Sequence, residues 1–231
     1  MDDASPQFYA TTAGIMLVIS ILAGGFGELF VLSKLMVTND ATATANNIKG
    51  SAFLFRLGFA SYLVEAVCDV SLALILYQLL KPVRNDISLL AAFFGLMATA
   101  TFAFAEIFYF MALPLLTGSY EGAFSADQIN SLVLISLKVY AYGGGIFMVF
   151  YGIAAMLRGY LIFRSGYLPR FLGLLIIVGG ACFVLRNFAY VLAPSYAYNL
   201  LLLPMILSML TMAIWFLVKG VSIEKWNHLS E

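Results

Sequence analysis

The stretch Ala52–Leu80, "AFLFRLGFASYLVEAVCDVSLALILYQLL", decides the fold. A helix that crosses a bilayer needs about 20 mostly apolar residues, roughly 30 Å at 1.5 Å per residue. This run exceeds that length. At its middle, "VEAVCDVSL" (Val64–Leu72) places Glu65 and Asp69 one helical turn apart, where hydrocarbon would surround them. The fold follows from the apolar run, and the question of function follows from the two carboxylates inside it.

The chain around this stretch has the same character. It has 231 residues, 63% hydrophobic and 10% charged, with mean hydropathy +0.97. A soluble domain carries roughly 25% charged residues, so a water-exposed surface is excluded. Six apolar runs reach spanning length, at 9–36, 52–80, 88–116, 129–160, 170–193 and 199–220. The chain is therefore read as all-α, a polytopic transmembrane helix bundle of six spans, forming one domain over residues 1–231. The zero net charge gives no reason to expect a nucleic-acid partner. Cys68 and Cys182 lie in apolar runs and make no CxxC pair, so no disulfide framework is expected. The single histidine, His228, leaves no histidine-rich metal centre or haem ligation. No cofactor and no metal are predicted. The start, "MDDASPQF", lacks the basic residues of a secretory signal, so the first run is expected to stay as a helix.

Boundary residues place the helix ends. Asn85 and Asp86 read as caps of the third span. "SADQ" (Ser125–Gln128) reads as a capping box opening the fourth. Pro169 fits the first turn of the fifth and Pro194 its end. Pro204 is expected to bend the sixth. Orientation comes from Lys and Arg in the short loops. Lys81, Arg84, Arg158, Arg164, Arg170, Lys219 and Lys225 fall on one side. Lys34, Lys49 and Arg56 surround the first loop on the other. Both termini are thus expected in the cytoplasm. A faint echo between "YQLLKPVRNDISLL" and "YLIFRSGYLPRFLG" hints at repeated hairpins of the kind found in transporters.

The charges inside the spans are Glu28, Glu65, Asp69, Glu106, Lys138 and Arg186, with Arg56 near a helix end. Each costs about 2.5–3.5 kcal/mol when isolated at mid-helix, so they are expected to face the interior and compensate one another. Counted along the spans, nearly all fall in the outer half of the bilayer. Helical spacing groups Tyr62, Glu65 and Asp69 on one stripe, and Thr99, Glu106 and Tyr109 or Phe110 on another. Lys138 shares a stripe with Tyr142, Gly145 and Val149, and Arg186 lies beside Asn187 and near Tyr190. Gly24, Gly25 and Gly143–Gly145 let helices approach. The ligand-binding set is thus Glu28, Arg56, Tyr62, Glu65, Asp69, Glu106, Tyr109, Lys138, Tyr142, Arg186, Asn187 and Tyr190. No catalytic residue is assigned. The bland reading is that these groups are structural ion pairs that set helix register.

The blocks "LFRLGFASYLVEAVCDVSLALILYQLLKPV", "GYLIFRSGYLPRFLGLL" and "WFLVKGV" resemble a family of bacterial six-span integral membrane proteins catalogued as a domain of unknown function. The resemblance covers nearly the whole chain. It implies the six-span topology and a multi-pass place in the bacterial cytoplasmic (inner) membrane, and it implies no reaction or ligand. Three functions fit the residues. The first is binding or carrying a small amphipathic molecule or lipid. The second is a structural or regulatory membrane subunit, and the third a membrane-embedded lipid-modifying enzyme. The expected partners are membrane lipids and a small amphipathic ligand, with a homodimer as an option.

Overall fold

A computed structural model describes residues 5–118, 120 and 123–230, the side chains of Asn199 and Ser230 apart. The acidic start, "MDDA", and part of the loop before Ser125 lie outside the described residues. All regular structure among the described residues is helical. Ser5 opens α1 (Pro6–Leu35): its Oγ accepts from the Phe8 N–H at 3.2 Å, with Pro6 at the first helical position. Within α1, Phe26–Leu32 widens into a π-helical segment that contains Glu28.

The polar stretch after α1 reads as a loop, yet it folds as α2 (Ala41–Gly50). Asp40 caps it by accepting from the Ala43 N–H at 2.8 Å. Thr44 and Asn47 tie it back to the end of α1, through the Val37 N–H at 2.9 Å and the Leu35 carbonyl at 3.2 Å. Short-range caps thus decide a helix whose hydropathy gives no signal.

The spans follow. They are α3 (Ala52–Leu80), α4 (Asn85–Thr117), α5 (Ala126–Ser165) and α6 (Arg170–Leu192). With α1 they are long and apolar enough to cross a membrane. A sixth candidate span is α7 (Leu202–Val218) taken together with the short α8 (Ile223–Ser230), which follows after Gly220. The two form one bent pair, turned by 102°. The capping box opens α5 as read: Ser125 N–H donates to Gln128 Oε1 at 2.8 Å, and Gln128 N–H to Ser125 Oγ at 3.3 Å. The caps of α4 behave differently. Asn85 accepts from the Tyr77 hydroxyl, and Asp86 pairs with Arg84. Pro204 lies in the first turn of α7, preceded by a 3-10 turn at Asn199–Leu201. The first-turn N–H groups have no intrahelical partner in any case, so proline there bends nothing.

The chain folds as two compact units. The first comprises Met1–Ile19, Cys68–Thr99 and Ile146–Glu231; the second comprises Ser20–Val67 and Ala100–Gly145. The unit boundary falls inside α1, α3, α4 and α5.

In the first unit, α5 and α6 meet backbone to backbone at two glycine pairs. A Cβ on Gly180 would stand 2.6 Å from the Gly152 carbonyl oxygen, and one on Gly173 2.6 Å from that of Gly159. Seven residues separate the members on each helix, so the antiparallel pairs fall two turns apart on one face. Lipid tails are as apolar as leucine, so close backbone packing drives association here. In the second unit, Gly143 makes a similar approach to Ala105.

Candidate functional site

The second unit holds the acids and tyrosines that a ligand site would need. Tyr62 (α3), Tyr109 (α4) and Tyr140 (α5) form a mutually touching triad. Ring centroids lie 5.4 Å apart for Tyr62–Tyr109, 5.4 Å for Tyr109–Tyr140 and 5.6 Å for Tyr62–Tyr140. All three are buried. Phe102 closes one side, 5.6 Å from Tyr62 and 6.1 Å from Tyr140. Phe55 stacks on Tyr109 at 4.3 Å, and the Tyr109 hydroxyl donates to the Phe55 carbonyl at 3.1 Å.

Three carboxylates surround this triad. Glu28 Oε2 accepts from the Tyr62 hydroxyl at 3.0 Å and from the Tyr140 hydroxyl at 3.4 Å. The π-helical segment gives Glu28 its place: one extra residue per turn re-aims the side chains that follow. The charges of Glu28, Glu65 and Glu106 all reach Tyr140. They differ in depth. Glu28 is exposed, Glu65 half-buried, and Glu106 only 1% exposed. Neither oxygen of Glu106 has a hydrogen-bond partner among the described residues. A buried charge without compensation costs several kcal/mol, so a proton or a cation must neutralise it. Among the described residues, no three acid, cysteine or histidine side chains are placed to hold a metal ion together.

Small residues shape the surroundings. A Cβ on Gly27 would stand 2.6 Å from the Tyr62 ring, and one on Gly58 2.5 Å from the Tyr109 hydroxyl. Gly25 and Gly144, each one turn from a member of the cluster, face open space with nothing within 4 Å.

The other predicted residues of this unit lie further out in exposure. Arg56 and Tyr142 are exposed, and Lys138 is half-buried. The remaining predicted residues fall in the first unit. There Asp69 is buried, as is Arg158. Both line a narrow cleft with Thr99, Gly95 and Tyr151, wide enough for about one water. A Cβ on Gly95 would stand 2.5 Å from the Arg158 guanidinium. Loop counting assigns Arg158 to the membrane edge; α5 instead continues to Ser165, and Arg158 is drawn inside. Arg186 is half-buried with its Nε lacking a hydrogen-bond partner among the described residues. Asn187 spends its amide on its own helix, donating to the Phe183 carbonyl at 2.8 Å, and Tyr190 is exposed.

Sequence reasoning does not single out Tyr140, Phe102 or Arg158 as site residues. Tyr140 lies on the stripe Val133, Leu137, Tyr140, Phe147, whose side chains α5 buries. Following that apolar stripe, instead of the one through Lys138, would have found it.

A 120-residue segment, 52% of this chain, is 29% identical to an uncharacterised protein of Archaeoglobus fulgidus, covering 58% of that relative's length. No solved structure matches the chain. The family described as a domain of unknown function, DUF4386, matches residues 12–220. A match over that much of the chain makes this multi-pass helical membrane protein a member of the DUF4386 family.

Proposed function

We propose that this protein binds or carries a small amphipathic molecule whose charged end is an organic cation, seated among Glu28, Glu65, Glu106 and the Tyr62–Tyr109–Tyr140 triad. The observation that carries the reading is Glu106: a carboxylate buried to 1% exposure, with no hydrogen-bond partner on either oxygen among the described residues. An ammonium beside it supplies the missing charge. Tyrosine faces add roughly 0.5–2 kcal/mol by cation–π attraction. The graded exposure from Glu28 through Glu65 to Glu106 supports a path from the surface inward, beside the open glycines 25 and 144. The proposal includes a bacterial cytoplasmic membrane and both termini inside, on the evidence of the Lys and Arg loop bias.

The probe is tetraphenylphosphonium, an amphipathic cation, offered to the purified full chain in equilibrium dialysis. Binding is expected, and Glu65→Gln with Glu106→Gln should weaken it at least about tenfold. Arg56→Gln, outside the cluster, should leave it intact. Full affinity in the double variant would sink the assignment.

A second reading, a structural or regulatory membrane subunit, is favoured by the packing of Tyr109. That side chain is 0% exposed, stacked and hydrogen-bonded to α3. It predicts no binding by the wild type and a lower melting temperature when the tyrosines are truncated.

A further inference from the structure

A separate feature lies in the first unit, independent of the carboxylate–tyrosine cluster. There the loop between α5 and α6 meets the turn between α7 and α8. The Ser222 N–H donates to the Tyr167 carbonyl at 3.2 Å. The Tyr167 hydroxyl and the Trp226 indole N–H both donate to the Leu79 carbonyl, at 2.7 and 2.9 Å. The Val221 N–H donates to Gln7 at 3.1 Å. Each turn rests on a glycine in the left-handed region, Gly166 at φ 71° and Gly220 at φ 62°, where side chains with a Cβ are strained.

Held this way, the two turns frame adjoining grooves that share Gly166. One is lined by Phe163, Arg164 and Arg170. The other is an open groove lined by Trp215, Lys219, Ser222 and Lys225 among others. Arg164, Lys219 and Lys225 are exposed and Arg170 is open at the rim, and among the described residues no carboxylate lines either groove. The walls are aromatic: Arg170 covers the Phe163 ring at 5.8 Å, and Trp215 meets Phe171 edge-on at 5.5 Å. Loop cations that set topology need only be present in the loop. Orienting them around a pinned, concave, aromatic-walled site requires more.

We propose that this groove seats the headgroup of an anionic phospholipid from the adjoining leaflet. Lysines and arginines at the rim match a phosphate and a second negative charge. Phe171, Leu174 and Val218 are exposed apolar side chains on the helices that end at the groove, and they provide a track for acyl chains. A soluble anion has no use for that track. α8, turned 102° from α7 and carrying exposed Ile223 and Leu229, has the form of an interfacial helix beside the same site.

Of the chain's two tryptophans, Trp215 lines this groove and Trp226 shares the Leu79 carbonyl with the groove's Tyr167, so their fluorescence reads it. The full chain is reconstituted in phosphatidylcholine vesicles containing phosphatidylglycerol. One of the two lipids carries brominated acyl chains, at matched mole fraction. Brominated phosphatidylglycerol is expected to quench more strongly than brominated phosphatidylcholine. In Lys219→Gln/Lys225→Gln the preference should fall roughly fivefold per charge removed. Lys219→Arg/Lys225→Arg should keep it, as should Lys34→Gln/Lys49→Gln, which removes two charges elsewhere. Equal quenching by the two lipids in the wild type overturns the proposal, and so does a preference untouched by the glutamines. Loss of the preference on adding millimolar soluble glycerol phosphate also overturns it, in favour of a free anion. Should the glutamine pair fail to fold, Arg164→Gln/Arg170→Gln applies the same test at the other rim.

Discussion

The carboxylate of Glu65 rests against the backbone of Gly24, so closely that a Cβ there would stand 2.5 Å from Oε2. An acid inside a span is held by the absence of a side chain on its neighbour. Gly24→Ala must push the Glu65 carboxylate aside, at a cost of up to about 1 kcal/mol because that group ends a flexible side chain. Gly25→Ala, one residue on, meets nothing within 4 Å and should be neutral or stabilising. Thermal unfolding of the two variants checks the contrast, and equal melting temperatures would refute it.

Glu106 gives a prediction of opposite sign. Its oxygens make no hydrogen bond among the described residues, so an apolar side chain of similar length loses nothing polar. Glu106→Leu should stabilise the protein by roughly 1–3 kcal/mol while abolishing cation binding. A residue that costs stability and serves a ligand behaves this way. A destabilised Glu106→Leu would mean that the carboxylate supports the fold.

Asp69 and Arg158, buried groups of opposite charge, line one cleft of the first unit. Arg158→Met removes the cation whose charge Asp69 shares, a change worth about 3–5 kcal/mol. Adding Asp69→Leu should recover most of that loss. Denaturation of the two single variants and the double one gives the coupling energy directly; simple additivity would show that the groups do not interact.

The glycine pairs of α5 and α6 predict a strong local sensitivity. At Gly173 a Cβ would stand 2.6 Å from the Gly159 carbonyl oxygen and 2.6 Å from the Phe163 nitrogen, both backbone. Backbone cannot rotate away, so Gly173→Leu should cost at least about 3 kcal/mol and fold poorly in the membrane. Gly144→Leu, facing open space in the neighbouring helix α5, should be tolerated. Yield and melting temperature from the two variants decide it.

Tyr167 gives the pH dependence. Burial pushes its phenol above the ordinary value of 10.0. A group whose folded pKa is raised stabilises the fold fully below the unfolded value, and that contribution is lost as pH rises above it. The wild type should lose stability above about pH 10, and Tyr167→Phe should lose less there, at the expense of the hydrogen bond to Leu79 at neutral pH. Parallel alkaline melting curves for both proteins would contradict this.

Much of the architecture was legible in the residues. Apolar runs near Ala52–Leu80 and its counterparts name the spans, because lipid leaves a backbone no alternative to the helix. "SADQ" named the start of α5, because a capping box works through contacts three residues apart. α2 was missed because its signal is a cap, with no hydropathy behind it. The glycine pairs were missed because each is half of a contact whose other half lies on the next helix.

The amino-acid sequence by itself determined that the chain is a multi-pass helical membrane protein and which acids the spans must shelter, since hydropathy and helix periodicity act locally along the chain. Only the tertiary structure decided that Tyr140 joins Tyr62 and Tyr109 beside Glu28, and that Arg158 is buried at the same cleft as Asp69. The rotation of each helix about its axis depends on which neighbour it packs against, and a period of 3.6 residues constrains that choice without making it.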